Sequence, residues 1–80
     1  MQNAEAKVTL VRAAILEYLE QHGDAADTRQ GIAEWWLPVE QRAMDLAVVE
    51  RALETLVADG VLEVAHLVDG SILYRRASKP

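Results

Sequence analysis

Cysteine is absent from this 80-residue sequence, and the sequence has neither a long apolar run nor a basic N-terminal region followed by an apolar block. Without cysteine, a disulfide framework and a thiolate zinc site are both excluded, and the composition is typical of a reducing compartment. No apolar run approaches the roughly 20 residues that a membrane-spanning helix needs, and no signal peptide is recognisable. We therefore expect a cytoplasmic protein that has no membrane partner.

Positive charge is also scarce, because eight Lys and Arg residues stand against 13 Asp and Glu residues and give a net charge of −5. Domains that work mainly by neutralising phosphates are usually basic. Hydrophobic residues make up 51% of the chain, which is enough to form a core. The length allows one small domain. We expect a single domain over residues 1–80, with an ordered core at about 5–76.

The most informative stretch is residues 45–76, which predicts a helix, a stop and a β-hairpin. Asp45 can cap the first turn of a helix over about 46–59. Gly60 can end that helix in the left-handed conformation. The apolar positions that recur at helical spacing are Leu46, Val49, Leu53, Leu56 and Val57. The outward positions are Ala47, Arg51, Glu54, Thr55 and Ala58.

A tight turn is predicted at residues 68–71, because Asp69-Gly70 stands between two apolar runs. A two-residue turn of type I′ needs positive φ at both central residues, which Asp-Gly accepts. If the ends of this turn pair, Glu63 lies opposite Arg76 and can form an exposed ion pair. In the same register, the residues expected on the core side are Leu62, Val64 and Leu73.

Two earlier helices are predicted over about 5–22 and 28–36 from apolar residues at helical spacing. Residues 24–27 form a loop between them, and Asp27 with Gln30 has the spacing of a capping box. The expected inner positions are Val8, Val11, Ile15, Tyr18, Leu19 and His22 on the first helix, and Ile32, Ala33 and Trp36 on the second.

The segment before the third helix is the least regular part of the chain. Leu37-Pro38 ends the second helix, because the residue before a proline avoids the α region. Residues 37–44 can hold a short helical turn, and we expect Val39 and Met44 to pack inward from it.

This order of helices followed by a hairpin resembles the winged helix-turn-helix superfamily. The segment LETLVADGVLEV, Leu53 to Val64, is similar to the passage from the third helix to the wing in that superfamily. The resemblance implies a mainly α fold with a small β-hairpin, a three-helix bundle plus a two-stranded wing. The superfamily includes transcription regulators, subunits of replication and chromosome-organisation complexes, and protein-interaction modules. The fold alone therefore does not decide the function.

In DNA-binding members of the superfamily, the third helix enters the major groove and the wing contacts a flanking groove or the backbone. The resemblance therefore implies that Arg51, on the outward face of the third helix, contacts a guanine. The candidate DNA-binding residues are Arg42, Arg51, Arg75 and Arg76. If Arg42, Arg51 and Arg75 converge in space, a positive strip survives the acidic total, because binding depends on how the charge is distributed.

The charge near the third helix supports a second hypothesis. Glu50 and Glu54 on this helix, and Asp69 in the turn, would bring negative charge close to phosphates. Two functions therefore stay open. The first is a small DNA-binding protein, similar to transcription regulators, with the third helix as its reading element. The alternative is an acidic winged helix that acts as a protein–protein interaction module or complex subunit without DNA contact.

The first helix carries apolar residues that a monomer does not need. Leu10 and Ala14 lie one turn apart on its predicted outer side, and Trp35 lies at the flank of the second helix. Exposed tryptophan is enriched at the energetic centres of interfaces. We expect Leu10, Ala14 and Trp35 to form a protein interface, and the chain to be a homodimer.

No residues form a recognisable catalytic or metal-binding pattern. Ser71 lies in the turn and Ser78 in the tail, and neither has the context of an activated nucleophile. His22 and His66 lack nearby ligands for a metal. We expect no enzymatic activity, no cofactor, no metal and no small-molecule substrate.

Overall fold

The computed structural model describes residues 4–42 and 45–78. Its elements are α1 (Ala4–Gln21), β1 (Ala26–Asp27), α2 (Arg29–Gly31) with a π-helical continuation (Ile32–Trp36), a 3₁₀ turn (Val39–Gln41), α3 (Leu46–Ala58), β2 (Leu62–His66) and β3 (Ile72–Arg76). The protein is mainly helical with a small three-stranded antiparallel sheet. Within the described ranges, no helix combines the length and apolar character that crossing a membrane requires.

The core lies where α1 and α3 pack together and are closed off by the segment between them. Its buried residues are Val11, Ile15, Leu19, Ile32, Ala33, Trp36, Leu37, Val49, Ala52, Leu53, Leu56 and Leu62. Tyr18 stacks on Trp36 with a ring-centroid separation of 4.7 Å. The predicted inner faces are therefore confirmed at most positions. Two positions are wrong, because His22 is exposed and Leu46 is 42% exposed.

The second helix begins one residue later than the predicted capping box. Thr28 is the N-cap, and its Oγ1 accepts a hydrogen bond from the Gly31 backbone N–H at 3.1 Å. Asp27 instead belongs to β1, where it pairs with Tyr74. The Asp27 carboxylate accepts from the Thr28 N–H at 2.8 Å. Because the pairing in the sheet fixes Asp27, the capping role falls to the next polar residue.

The predicted end of the second helix is confirmed. Leu37 has φ −89° and ψ 149°, so the helix stops before Pro38. A short 3₁₀ turn follows as expected, but Val39 is 73% exposed and does not pack inward. Leu37, which is only 1% exposed, fills the core at this point instead. The expectation for Met44 lies outside the described residues.

Both ends of α3 are formed as predicted. Asp45 Oδ1 accepts from the Ala47 N–H at 2.9 Å, which satisfies a free donor of the first turn. At the other end Gly60 has φ +80°. The Gly60 N–H donates to the carbonyl of Val57, and the Val61 N–H donates to that of Leu56. This pair of bonds is a Schellman motif, and it turns the chain directly into β2.

The sheet contains a strand, β1, at residues that were expected to form a loop. Its order is β1-β3-β2, so β3 is the central strand. Ala26 pairs with Arg75, and Asp27 pairs with Tyr74. A strand of two residues has no alternating pattern of its own, and it forms only because β3 offers a free edge to it.

The hairpin pairs one residue away from the predicted register. Gly70 has positive φ (+93°) as expected. Asp69 has negative φ, because within the described ranges only glycines have positive φ. The Leu67 N–H donates to the Ser71 carbonyl at 2.9 Å, and the Gly70 N–H donates to the Leu67 carbonyl at 3.0 Å. The loop is therefore 68–70, in which a type I turn is followed by a left-handed glycine. Its extra residue moves the register.

The corrected register changes which side chains share a face. Glu63 lies opposite Arg75, not Arg76, and Arg75 Nε donates to Glu63 Oε2 at 2.6 Å. Val64 lies opposite Tyr74, which packs against the core. Leu73 lies opposite Ala65 on the other face, so its predicted place on the core side with Leu62 and Val64 is wrong.

Candidate nucleic-acid interface

The outward face of α3 presents one arginine that is not engaged by the protein itself. Arg51 is exposed and forms no ion pair or hydrogen bond with any described residue. Its neighbour Glu50 is bound by Arg29 of α2, with 2.8 Å between Nη1 and Oε2. That ion pair turns the Glu50 carboxylate towards α2. The guanidinium of Arg51 can therefore reach a ligand without first breaking an ion pair.

The C-terminal half of α3 is tied to α1 by Arg12, for which the sequence predicts no role. Arg12 Nη1 donates to Thr55 Oγ1 at 2.6 Å, and Arg12 Nη2 donates to Asp59 Oδ2 at 3.0 Å. Thr55 is half-buried by this contact, contrary to its expected outward position. No spacing rule indicates a contact between residues so far apart in the chain. The residues that stay exposed on this face of α3 are Ala47, Arg51, Glu54 and Ala58.

Arg42 follows the 3₁₀ turn and holds that turn in place. Its Nε donates to the backbone carbonyl of Leu37 at 3.0 Å, while the residue as a whole is exposed. A guanidinium has five N–H donors, and only one of them is bonded to a described residue. Arg42 can therefore contact an anion with its terminal nitrogens while it keeps its contact with Leu37.

Arg75 and Arg76 lie at the end of the hairpin that is distant from its turn. Both border a cleft of about 420 Å³ whose other wall is the segment from Gly23 to Ala25. The hydrogen bond from Arg75, and a weaker one from the Ser78 N–H, hold the pKa of Glu63 below its ordinary value. Arg76 has no ion pair with a described residue.

A second cleft, of about 450 Å³, lies between α2, α3 and the hairpin turn. Arg29 and Glu50 border it on the helical side, and Gly70 and Ile72 border it on the hairpin side. Neither Arg75 nor Arg76 borders this cleft. Arg75 and Arg76 thus border the first cleft, whereas Glu50, the neighbour of Arg51, borders the second. Arg42, Arg51 and Arg75 therefore do not line one common cavity.

The residues expected at a protein interface do not share one environment. Leu10 is 54% exposed and Trp35 is 65% exposed. Ala14 is half-buried and packs against the core, beside a small cleft that Tyr18 and Trp36 also line. Its predicted place on the outer side of α1 is therefore wrong, because the second helix and its continuation cover more of α1 than the apolar stripe indicates.

No model of a known protein family matches the chain, and no curated protein matches it either. The fold and the surface define the class of protein to which the chain belongs. It is a small, mainly helical domain with a three-stranded antiparallel sheet, whose third helix exposes an arginine that has no ion pair within the described part of the chain.

Proposed function

We propose that this chain is a winged helix that binds double-stranded DNA, in the manner of transcription regulators, with α3 as the reading element. The order of helical segments followed by a hairpin supports the winged-helix assignment. The observation that carries the DNA assignment is the open position of Arg51 on α3. A free guanidinium can donate two hydrogen bonds to O6 and N7 of a guanine in the major groove.

In this proposal the other candidate arginines contact the phosphate backbone and not the bases. Arg42 and Arg76 keep N–H donors that no described residue uses, and these would contact phosphates, which positions the protein without reading sequence. Arg75 would contribute less, because its charge is already compensated by Glu63. The absence of cysteine supports a reducing compartment such as the cytoplasm.

The test is a titration of a short DNA duplex with the protein at two salt concentrations. Affinity should fall as salt increases, because counterions are released when phosphates are neutralised. At the preferred sequence, Arg51→Ala should weaken binding by about 1–3 kcal/mol and relax the preference for one base. Lys7→Ala is the matched control, because it removes the same charge from α1. Absence of measurable duplex binding at low salt would exclude this function.

A second candidate is a protein-interaction module or complex subunit that makes no DNA contact. It is favoured by the ion pairs that compensate Arg29 and Arg75, and by the exposed side chains of Leu10 and Trp35. For this function, the duplex titration should show no salt-dependent binding. In either case we propose that the chain acts as a homodimer, the commonest arrangement for small soluble oligomers.

A further inference from the structure

The outer edge of β2 presents backbone groups that no described residue satisfies. β3 is the central strand, so β2 has a neighbour on one side only. The hydrogen bonds Leu67 N–H to Ser71 and Ala77 N–H to Val61 show that the odd-numbered residues of this strand face β3. The N–H and C=O groups of the alternate residues point away from β3, and these residues are Leu62, Val64 and His66.

This edge has few of the features with which proteins usually protect an open strand, because its one carboxylate, that of Glu63, is bound by Arg75. β2 has the sequence LEVAH, without proline or lysine, and its pairing with β3 is continuous and has no bulge. Val64, at its centre, is 36% exposed. Nine large apolar side chains are exposed among the described residues, and four of them belong to the hairpin, namely Val64, Leu67, Val68 and Ile72. The hairpin thus carries more of these side chains than α1, which carries two, Leu10 and Leu16.

We propose that a second copy of this chain pairs with this edge, with β2 antiparallel to β2 of the other copy about a two-fold axis at Val64. The proposal rests on the homodimer proposed above and names its interface, and it does not depend on DNA binding. It replaces the expected contact through α1, because Ala14 is half-buried and leaves Leu10 without its partner in that patch.

The register about Val64 satisfies the backbone of both copies. Because Leu62, Val64 and His66 all direct their N–H and C=O groups outward, they are the residues that form hydrogen-bonded pairs across an antiparallel interface. Val64 then pairs with Val64 of the second copy, and Leu62 pairs with His66. All outward-facing backbone groups of the strand are used.

The charges at the edge are also compatible with self-pairing. In this register Glu63 lies opposite the small Ala65 of the second copy, so no two like charges lie directly opposite each other. The Glu63 carboxylate stays bound to Arg75 of its own chain. The net charge of −5 would otherwise keep two copies apart, but this strand is locally neutral because its only carboxylate is compensated.

The experiment measures the mass of the protein by sedimentation over a range of concentrations, and amide hydrogen exchange at the two ends of that range. The wild type should approach the dimer mass as concentration increases. The amides of Leu62, Val64 and His66 should gain protection with concentration, whereas those of Glu63 and Ala65 should be protected throughout. The pairing of β2 with β3 within one chain would leave the amides of Leu62, Val64 and His66 unprotected at every concentration, so the gain with concentration reports the contact between copies.

Three variants test whether the contact between the two copies lies at the outer edge of β2. Val64→Lys sets two lysines against each other at the two-fold axis and should weaken association by about tenfold or more. Val64→Thr keeps the branched shape and should leave association unchanged. Leu10→Glu tests the competing α1 contact and should also leave it unchanged.

Three results would overturn the proposal. These are a monomer at every concentration, a dimer that survives Val64→Lys but is lost in Leu10→Glu, and exchange at the alternate amides that does not depend on concentration. The exchange measurement needs only the wild type, so it tests the proposed interface even if Val64→Lys does not fold. All readings are taken without DNA, so a failure of duplex binding leaves them unaffected.

Discussion

The residue whose replacement has the least intuitive consequence is Gly31 in α2. Its backbone is ordinary helix, with φ −61°, so no left-handed conformation requires glycine there. The reason is space, because a Cβ at this position would overlap the carboxylate of Asp27. The short Asp27 side chain could avoid the overlap only by turning away and giving up its hydrogen bond from the Thr28 N–H.

We therefore expect Gly31→Ala to destabilise the protein by about 1–2 kcal/mol, through overpacking at Asp27. Helix propensity alone predicts the opposite, a gain of about 1 kcal/mol. In an Asp27→Ala background the same substitution should become stabilising, because the overlap is gone. The free energy of unfolding of the four proteins, measured by chemical denaturation, checks this. Additive effects of the two substitutions would show that they do not interact.

Single residues explain which caps could be predicted from the sequence. Asp45 and Gly60 act through groups within a few residues, so their roles follow from local spacing and both are confirmed. Asp27 has the right spacing for a cap but is held by a strand partner, Tyr74, that lies far away in the chain. No local pattern contains that information.

At the scale of elements, the hairpin shows how a correct signal can still give the wrong register. Asp69-Gly70 predicts a turn, and a turn is present, but a left-handed glycine is needed both in a two-residue and in a three-residue loop. The Asp69 carboxylate accepts from the Ser71 N–H at 2.9 Å, which supports the longer loop and holds the pKa of Asp69 below its ordinary value. The side chain of Asp69 therefore helps to select the three-residue loop over the two-residue turn.

The hairpin should depend on pH through Glu63. Its pKa in the folded protein lies below the ordinary value of 4.5, chiefly because Arg75 donates a hydrogen bond to it. The charged form is thus favoured by folding, and this stabilisation is complete above pH 4.5 and is lost as the pH falls below 4.5 through the folded pKa. Thermal unfolding of the wild type should therefore occur at lower temperature as the pH falls through this range.

The matched variants isolate the contribution of Glu63 from that of other carboxylates. Glu63→Gln should be less stable than the wild type at neutral pH, and the difference should shrink in acid. Glu40→Gln, at an exposed position in the 3₁₀ turn, should keep the pH dependence of the wild type. If both variants follow the same pH profile, the ion pair between Glu63 and Arg75 does not stabilise the hairpin.

At the scale of the whole molecule, the distribution of charge could not be predicted from the net charge of −5. Ion pairs join Arg12 to Asp59, Arg29 to Glu50 and Arg75 to Glu63. The first two join residues that are distant in the chain, so counting charges along the sequence does not reveal which arginines stay available. The structure leaves Arg51 and Arg76 without such a partner among the described residues.

If the proposed DNA function is correct, this distribution should appear in the dependence of binding on salt. Arg76→Ala should lower the slope of log affinity against log salt by about 0.9, the value for one lost phosphate contact. Arg75→Ala should lower it by less, because Glu63 already compensates Arg75. The slopes would be measured by duplex titration at several salt concentrations. Equal slopes for both variants and the wild type would show that the hairpin does not contact phosphates.

The contacts between the two ends of the described chain have a consequence for synthesis on the ribosome. α1 is synthesised before α3, against which its apolar face packs. The ion pair of Arg12 also needs Asp59, which is synthesised 47 residues later. The pairing of Ala26 with Arg75 closes only when β3 has emerged. A nascent chain therefore carries an unburied α1 at least until α3 has left the exit tunnel.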